Sequence, residues 1–386
     1  MAFKMVQLKP RTLDPRSEEL RGHVREFLRH ELAAGSFLPQ CECWSKGFSR
    51  EFSRKLASRG WIGMTLPKKY GGHERSPLER FVVVEEMLAA GAPVASHWLA
   101  DRQIGPSILR HGTEDQKRRL LPGIASGEYV FAVGYSEPDV GSDVSAVKTR
   151  AERIPGGWRV SGTKVWTSMA HKADFLFVLC RTSPSDGDKH KGLSTLIVRL
   201  PAKGLTVLPI RILTGADGFN EVVMDDVEVP DSMVLGQPGE AWKIITSELV
   251  LERCGPERFM STFPLLVELV RRTQSNPDYE RALIGIGELV ARFWALRTMS
   301  IAIAAALEEG ESPAVEAALV KDMGTRFEGE IAEYARLLYS VLPSLDSDDL
   351  FANFVGQSVL HSPAFTLRGG TNEVLRGIIA RGLGLR

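Results

Sequence analysis

Between residues 129 and 237 the chain changes its hydrophobic period, and that change constrains the fold more than any other feature. GGWRVSGTKVWTS, ADFLFVLCRT, LSTLIVRL, GLTVLPIRI and NEVVMDDVEVP follow one another as short Val-, Ile- and Leu-rich runs separated by Gly, Pro and Asp turns. Short strands with no helix between them predict a sandwich or barrel rather than a parallel sheet. On both sides the period is helical. In LDPRSEELRGHVREFLRHEL, Asp14 is placed to cap, Pro15 suits the first turn, and Leu20, Val24, Phe27 and Leu28 share one face. Thr113 and Gln116 have capping-box spacing, and the helix they start is expected to stop near Pro122. PLERFVVVEEMLAAG and SHWLADRQIGPSILRHG read as core helices, the second carrying His97, Trp98, Asp101 and Arg102 as pocket-lining candidates. After VLGQPGEAW the helical period returns and holds to the end. The expectation is an α+β multidomain chain: an N-terminal helical domain over residues 1–128, a central β-barrel or sandwich domain over 129–237, and a C-terminal helical bundle over 238–386.

A length of 386 residues favours two or three packed units over one small core. Lys plus Arg and Asp plus Glu balance at 48 each, which gives no broad pull toward nucleic acid or an anionic membrane. The N-terminus lacks an apolar core of signal-peptide length, and no stretch reaches the about 18 apolar residues of a spanning helix, so a soluble cytoplasmic protein is expected. The four cysteines, Cys41, Cys43, Cys180 and Cys254, are too scattered for a disulfide framework, and no second pair completes a zinc site with the first two. Reduced structural thiols and no metal centre are expected.

Several chemistries are excluded by motif. There is no G-x-G-x-x-G between a strand and a helix and no G-x-x-x-x-G-K-[ST]. GYSEP fails the nucleophile-elbow pattern at Pro138, and His30-Glu31 lacks the second histidine of a zincin. What remains is YSEPDVGSD, residues 135–143, too rich in small and acidic residues for a strand interior. Gly141 and Ser142 mark a place where backbone comes close to something.

YSEPDVGSD, GTKVWTS, DDVEVPDSMVLG and LRGGTNEVLRGIIARGLG, in that order, resemble the signature segments of the acyl-CoA dehydrogenases. The likeness covers essentially the whole chain. It implies a helical, β, helical flavoenzyme that binds FAD and oxidises an acyl-CoA thioester to the trans-2-enoyl-CoA. Carried over residue by residue, Tyr135, Ser136, Gly141 and Ser142 contact flavin and substrate. Trp166, Thr167 and Ser168 match the second flavin segment, and Thr371 and Glu373 complete the cofactor set. The resemblance also implies an electron-transfer flavoprotein as electron acceptor, with a role in fatty acid or lipid catabolism.

Such a reaction needs a base for the α-proton. Many members of that family carry it as a glutamate immediately before the Gly-Thr of the last motif, where this chain has Gly369. A minority place it on a helix of the C-terminal domain, just before an arginine, and LVLERCG supplies Glu252 and Arg253. The resemblance therefore implies Glu252 as base, the Gly369 N–H as donor to the thioester oxygen, and Ser142, Arg253 and Gly370 as substrate contacts. Flavin oxidases and monooxygenases of the same fold, and inactive partner subunits, are the alternatives. Two segments depart from the family pattern. The R-x-x-F-G and Q-x-x-G-G stretches that reach a neighbour's flavin diphosphate are replaced by VRRTQSNPDYERALIG and YARLLYSVLPSLDSD, leaving Arg271, Arg272 or Arg281 as substitutes. Either a homo-oligomer with altered contacts or a hetero-oligomer with a paralogous subunit follows.

Overall fold

The computed structural model describes residue 6 and residues 8–275 and 279–385. The chain divides into two compact units. One comprises Met1–Phe48, Arg75–Val94 and Glu252–Arg386, the other Ser49–Glu74 and Ala95–Leu251.

In the second unit eight strands form one mixed, mostly antiparallel sheet: β1 (Phe131–Gly134), β2 (Arg150–Ile154), β3 (Gly157–Ser168), β4 (Phe175–Arg181), β5 (Leu193–Arg199), β6 (Leu205–Ile210), β7 (Phe219–Pro230) and β8 (Val234–Leu235). Their order is β6-β7-β3-β2-β4-β5-β8, with β1 pairing in parallel to β4. The unbroken apolar run FLFVLC of β4 follows from burial on both faces. Phe175 and Phe177 pack among Leu120, Leu121 and Ile124 of the helix Glu114–Ala125, while Leu176, Val178 and Cys180 pack with Val160, Leu196, Val222 and Val227 from the other strands. That helix carries the expected Thr113–Gln116 capping box, yet it runs through Pro122 to Ala125. Proline removes one backbone donor. Burial of Leu120, Leu121, Ile124 and Ala125 outweighs it, and Ser126 N–H still reaches the Pro122 carbonyl at 2.9 Å.

The first unit is helical. Asp14 caps Pro15–Ala33 by accepting from Ser17 N–H at 2.7 Å, and Leu20, Val24, Phe27 and Leu28 are buried as the spacing predicts. The bundle continues through Pro77–Ala89, Phe263–Gln274, Tyr279–Glu308, Ala314–Tyr339, Leu350–Phe365 and Asn372–Gly382. One helix corrects the sequence reading. Ala282–Glu308 is long and apolar enough, by length and composition, to cross a membrane. Glu288, Arg292 and Arg297 interrupt it, so no continuous apolar run is visible although its mean hydropathy is high. Here it buries Ile286, Leu289, Leu296, Ile301 and Ile303 within the unit. Arg281 begins this stretch, but its side chain lies outside the described residues, as do residues 276–278 of the segment that departs from the family pattern.

Candidate functional site

In the second unit, YSEPDVGSD leaves the end of β1 and is fixed from below by a residue of its own motif. The Glu137 carboxylate is buried and accepts from Lys148 N–H at 2.6 Å, Thr149 N–H at 2.8 Å and Lys164 Nζ at 2.8 Å. Lys164, on β3, also donates to the Tyr135 carbonyl at 3.1 Å. Reciprocal backbone bonds between Glu137 and Val140 close the turn over Pro138 and Asp139. Burial opposes the charge on Glu137, but the Lys164 ammonium and the donors around it outweigh burial and hold the carboxyl below its usual range. The loop is thus rigid at its base, while Gly141 and Ser142 are exposed at its far end. A Cβ placed on Gly141 would meet nothing within 4 Å among the described residues. The chain's own packing does not demand glycine there.

Tyr135 turns its hydroxyl to Glu248, whose other carboxylate oxygen accepts from Gln103 Nε2 at 2.9 Å. Ser136 is half-buried, and its carbonyl accepts from Val165 N–H at 2.9 Å. The GTKVWTS segment is the end of β3, where the register with β7 shifts between Lys164 and Thr167. At that shift Trp166 takes a left-handed φ of +59° and stands 58 % exposed, edge-on to Phe219. Exposed tryptophan in a strained backbone conformation is not core packing. Thr167 is buried beside it, and its Oγ1 has no hydrogen-bond partner among the described residues. Ser168, half-buried, ends the strand.

In the first unit, Glu252, Arg253, Gly369 and Gly370 come together. Arg253 Nε donates to the Gly369 carbonyl at 3.1 Å, and a Cβ on Gly369 would lie 3.3 Å from Glu252 Oε1. Both glycines have positive φ, +71° and +90°, which few other residues adopt without strain. Beneath the loop, Lys321 Nζ donates to the carbonyls of Thr366 at 3.3 Å and Gly370 at 2.7 Å and to Asn372 Oδ1 at 2.8 Å. Because a trans peptide sets C=O and N–H on opposite sides, drawing the Gly369 and Gly370 carbonyls onto Arg253 and Lys321 turns the N–H groups of Gly370 and Thr371 the other way. Arg368, half-buried, anchors the loop's other side through Glu42, Ser261 Oγ at 2.9 Å and Glu328 at 2.8 Å. Thr371 spends its hydroxyl capping Asn372–Gly382 at Val374 N–H, and Glu373 is exposed in that helix's first turn. Burial, assisted by the Arg258 charge, pushes the Lys321 ammonium down to about 7.

Glu137, Lys164, Arg258, Lys321 and Arg368 were not singled out from sequence. Glu137 and Lys164 sit inside the quoted motifs, where Lys164 is the one charge in GTKVWTS and was an available signal. Lys321 and Arg258 carry none, since a lysine in KDMGT and an arginine in GPERF look like solvated helix charges.

Family models described as the N-terminal, middle and C-terminal domains of acyl-CoA dehydrogenase match residues 14–128, 132–227 and 260–384. The chain is 34 % identical over 386 residues to acyl-CoA dehydrogenase IpdE1 of Mycobacterium tuberculosis (strain ATCC 25618 / H37Rv), covering 95 % of this chain and 97 % of that one. Among solved structures it is similar to the Tcur3481-Tcur3483 steroid ACAD, with a TM-score of 0.83 and 30 % identity over 97 % of this chain and 98 % of that one. It is also similar to a chain of the ChsE4-ChsE5 complex from Mycobacterium tuberculosis, with a TM-score of 0.82 and 29 % identity over 97 % and 98 % of the two chains.

Proposed function

Because the chain belongs to the acyl-CoA dehydrogenase family of flavin-dependent oxidoreductases, we propose that Glu252 removes the α-proton of an acyl-CoA thioester in its α,β-dehydrogenation. The observation that carries this reading is the Glu252 carboxylate lying against Gly369, the position where many members of the family place the base. With glycine there, the carboxylate that can take the proton is the one on the neighbouring helix end. FAD, when bound, supplies the acceptor for the hydride that leaves the β-carbon as the Cα=Cβ bond forms. The chain's own share is different. Glu252 accepts the proton, the Gly369 N–H stabilises the enolate oxygen, and Ser142, Arg253 and Gly370 contact the thioester. The second unit suits a planar ring with polar edges: Trp166 offers an uncovered face, Thr167 Oγ1 a buried and unsatisfied polar atom, and Gly141 an approach free of side chain. Tyr135, Ser136, Ser142, Ser168, Thr371 and Glu373 complete this cofactor set.

Glu252→Gln is expected to keep its FAD and to lose about 10²–10⁴ in turnover, the usual range for removing a general base. Turnover within a few-fold of wild type would remove Glu252 from the role. Since a similar structure is titled a steroid ACAD, a bulky polycyclic acyl group is the first substrate to try, against isovaleryl- and butyryl-CoA as small comparators. Electron-transfer flavoprotein is the proposed acceptor.

A second reading concerns assembly. Both solved structures named above are titled as pairs of different chains, and this sequence lacks the stretches that reach a neighbour's flavin diphosphate in the family. A buried diphosphate needs cationic partners. We propose a paralogous subunit as their source. Expression alone should yield flavin-poor protein that co-expression with the paralogue restores, and an active homo-oligomer with one FAD per chain would exclude the paralogue.

A further inference from the structure

The reading of Glu252 as base leaves unexplained how a carboxylate with only 18 % of its side chain exposed stays ionised and aimed. Burial alone favours the protonated acid, which cannot accept a proton. Six residues on, after the turn Cys254–Gly255–Pro256, the chain returns Arg258 to the same place. Its side chain is 0 % exposed. Nε donates to the Glu252 carbonyl at 2.8 Å and Nη2 to Glu252 Oε1 at 3.0 Å, so one guanidinium grips both the backbone and the side chain of the same glutamate. The guanidinium carbon lies 5.2 Å from the centre of the Trp44 ring, which limits its movement on one side. A Cβ on Gly369 would stand 3.0 Å from Nη2 and 3.2 Å from the guanidinium carbon. A side chain at 369 therefore needs Arg258 or Glu252 to shift by a few tenths of an ångström, a constraint separate from the positive φ.

On these grounds, and resting on the assignment of Glu252 as base, we propose that Arg258 is a positioning residue, clamped against Trp44, that orients the Glu252 carboxylate against Gly369 and holds it in the charged form. Arg253 and Lys321 are also electrostatically coupled to Glu252. They bond the loop carbonyls, whereas Arg258 bonds the carboxylate itself. The pairing is charge-assisted and in a fixed fork, which a lysine reproduces in charge but not in shape.

The test compares Arg258→Gln, Arg258→Lys and Glu252→Gln, each as purified holoenzyme with FAD content and thermal unfolding recorded, using kcat/KM from pH 5 to 10. Arg258→Gln is expected to lower the rate and to move the acid limb upward by at least about one pH unit, since an opposite charge at this distance is worth about 1–3 units. Arg258→Lys keeps the limb within a few tenths of a unit of wild type while kcat falls more than KM changes, because charge is retained and aim is not. A merely structural arginine would lower the rate equally at every pH. An unmoved limb in folded Arg258→Gln, or wild-type kcat in Arg258→Lys, overturns the proposal. Should Arg258→Gln fail to fold, the kcat of Arg258→Lys decides alone. If Glu252→Gln is itself active, the base assignment has failed rather than the role of Arg258.

Discussion

The two units secure their loops in opposite ways. In the second, YSEPDVGSD rests on one buried ion pair, Glu137 with Lys164, and beyond that anchor its two carboxylates, Asp139 and Asp143, are exposed and paired with Lys148 and Lys189. In the first, Thr366–Thr371 and Glu252 are gripped by four basic side chains, Arg253, Arg258, Lys321 and Arg368, three of them bonded to loop carbonyls or to Glu252. A loop that only has to present donors needs rigidity. A loop beside a base also needs an electrostatic field, and the guanidinium groups of Arg253 and Arg258 supply one that favours a carboxylate and a developing enolate.

Breaking the balanced anchor should give the larger stability effect. Lys164→Met leaves the Glu137 carboxylate buried without its cation, a change that typically costs about 3–5 kcal/mol. Urea unfolding should show that loss together with reduced FAD retention, because the Tyr135 carbonyl loses its support as well. The double variant Lys164→Met, Glu137→Gln should recover part of it. A single variant with wild-type stability would mean that the pair does not anchor the loop.

On the cationic side the expected effect is smaller and depends on pH. Lys321→Met removes three donated hydrogen bonds, two of them to loop carbonyls, and is expected to cost about 1–3 kcal/mol and to raise KM more than it lowers kcat. An unfolded lysine keeps its proton up to about 10.5, while the folded Lys321 releases it near 7. Unfolding therefore takes up a proton between those values, and this site's contribution makes the wild type more stable as pH rises through that window. The stability difference between wild type and Lys321→Met should widen from pH 7 to 10. A gap that stays constant would contradict the lowered affinity of Lys321 for its proton.

The same contrast governs what the sequence made legible. Amphipathic spacing located the first helix and its buried Leu20, Val24, Phe27 and Leu28, because one-sided burial writes itself into a local period. Tyr135, Gly141 and Trp166 could be proposed as ligand contacts because two short contiguous motifs carry them. Arg258 and Lys321 were not, because their roles exist only where Trp44, Glu252, Thr366 and Gly370 meet, and no local pattern records a convergence of distant segments. Pro122 misled for a related reason: proline's local cost is fixed, while the burial that overrides it is tertiary.

The smallest effect tests an exposed side chain of the second unit. Trp166 is 58 % exposed and makes an edge-on contact with Phe219, so Trp166→Ala removes little of the chain's own packing. Surface changes of this kind usually fall within about 0.5 kcal/mol, and the relief of a positive φ is not gained because alanine tolerates it no better. Stability of the flavin-free chain should be nearly unchanged. If the ring covers bound FAD, however, the variant should lose FAD on dilution faster than wild type, and excess FAD should restore turnover. A variant that purifies with full FAD and releases it at the wild-type rate would leave Trp166 as an exposed side chain at a strand end. The anchoring of the flavin would then rest on Thr167 and the peptide groups of the 135–143 loop, to be tested in turn by Thr167→Val, which deletes a buried hydroxyl without a partner among the described residues.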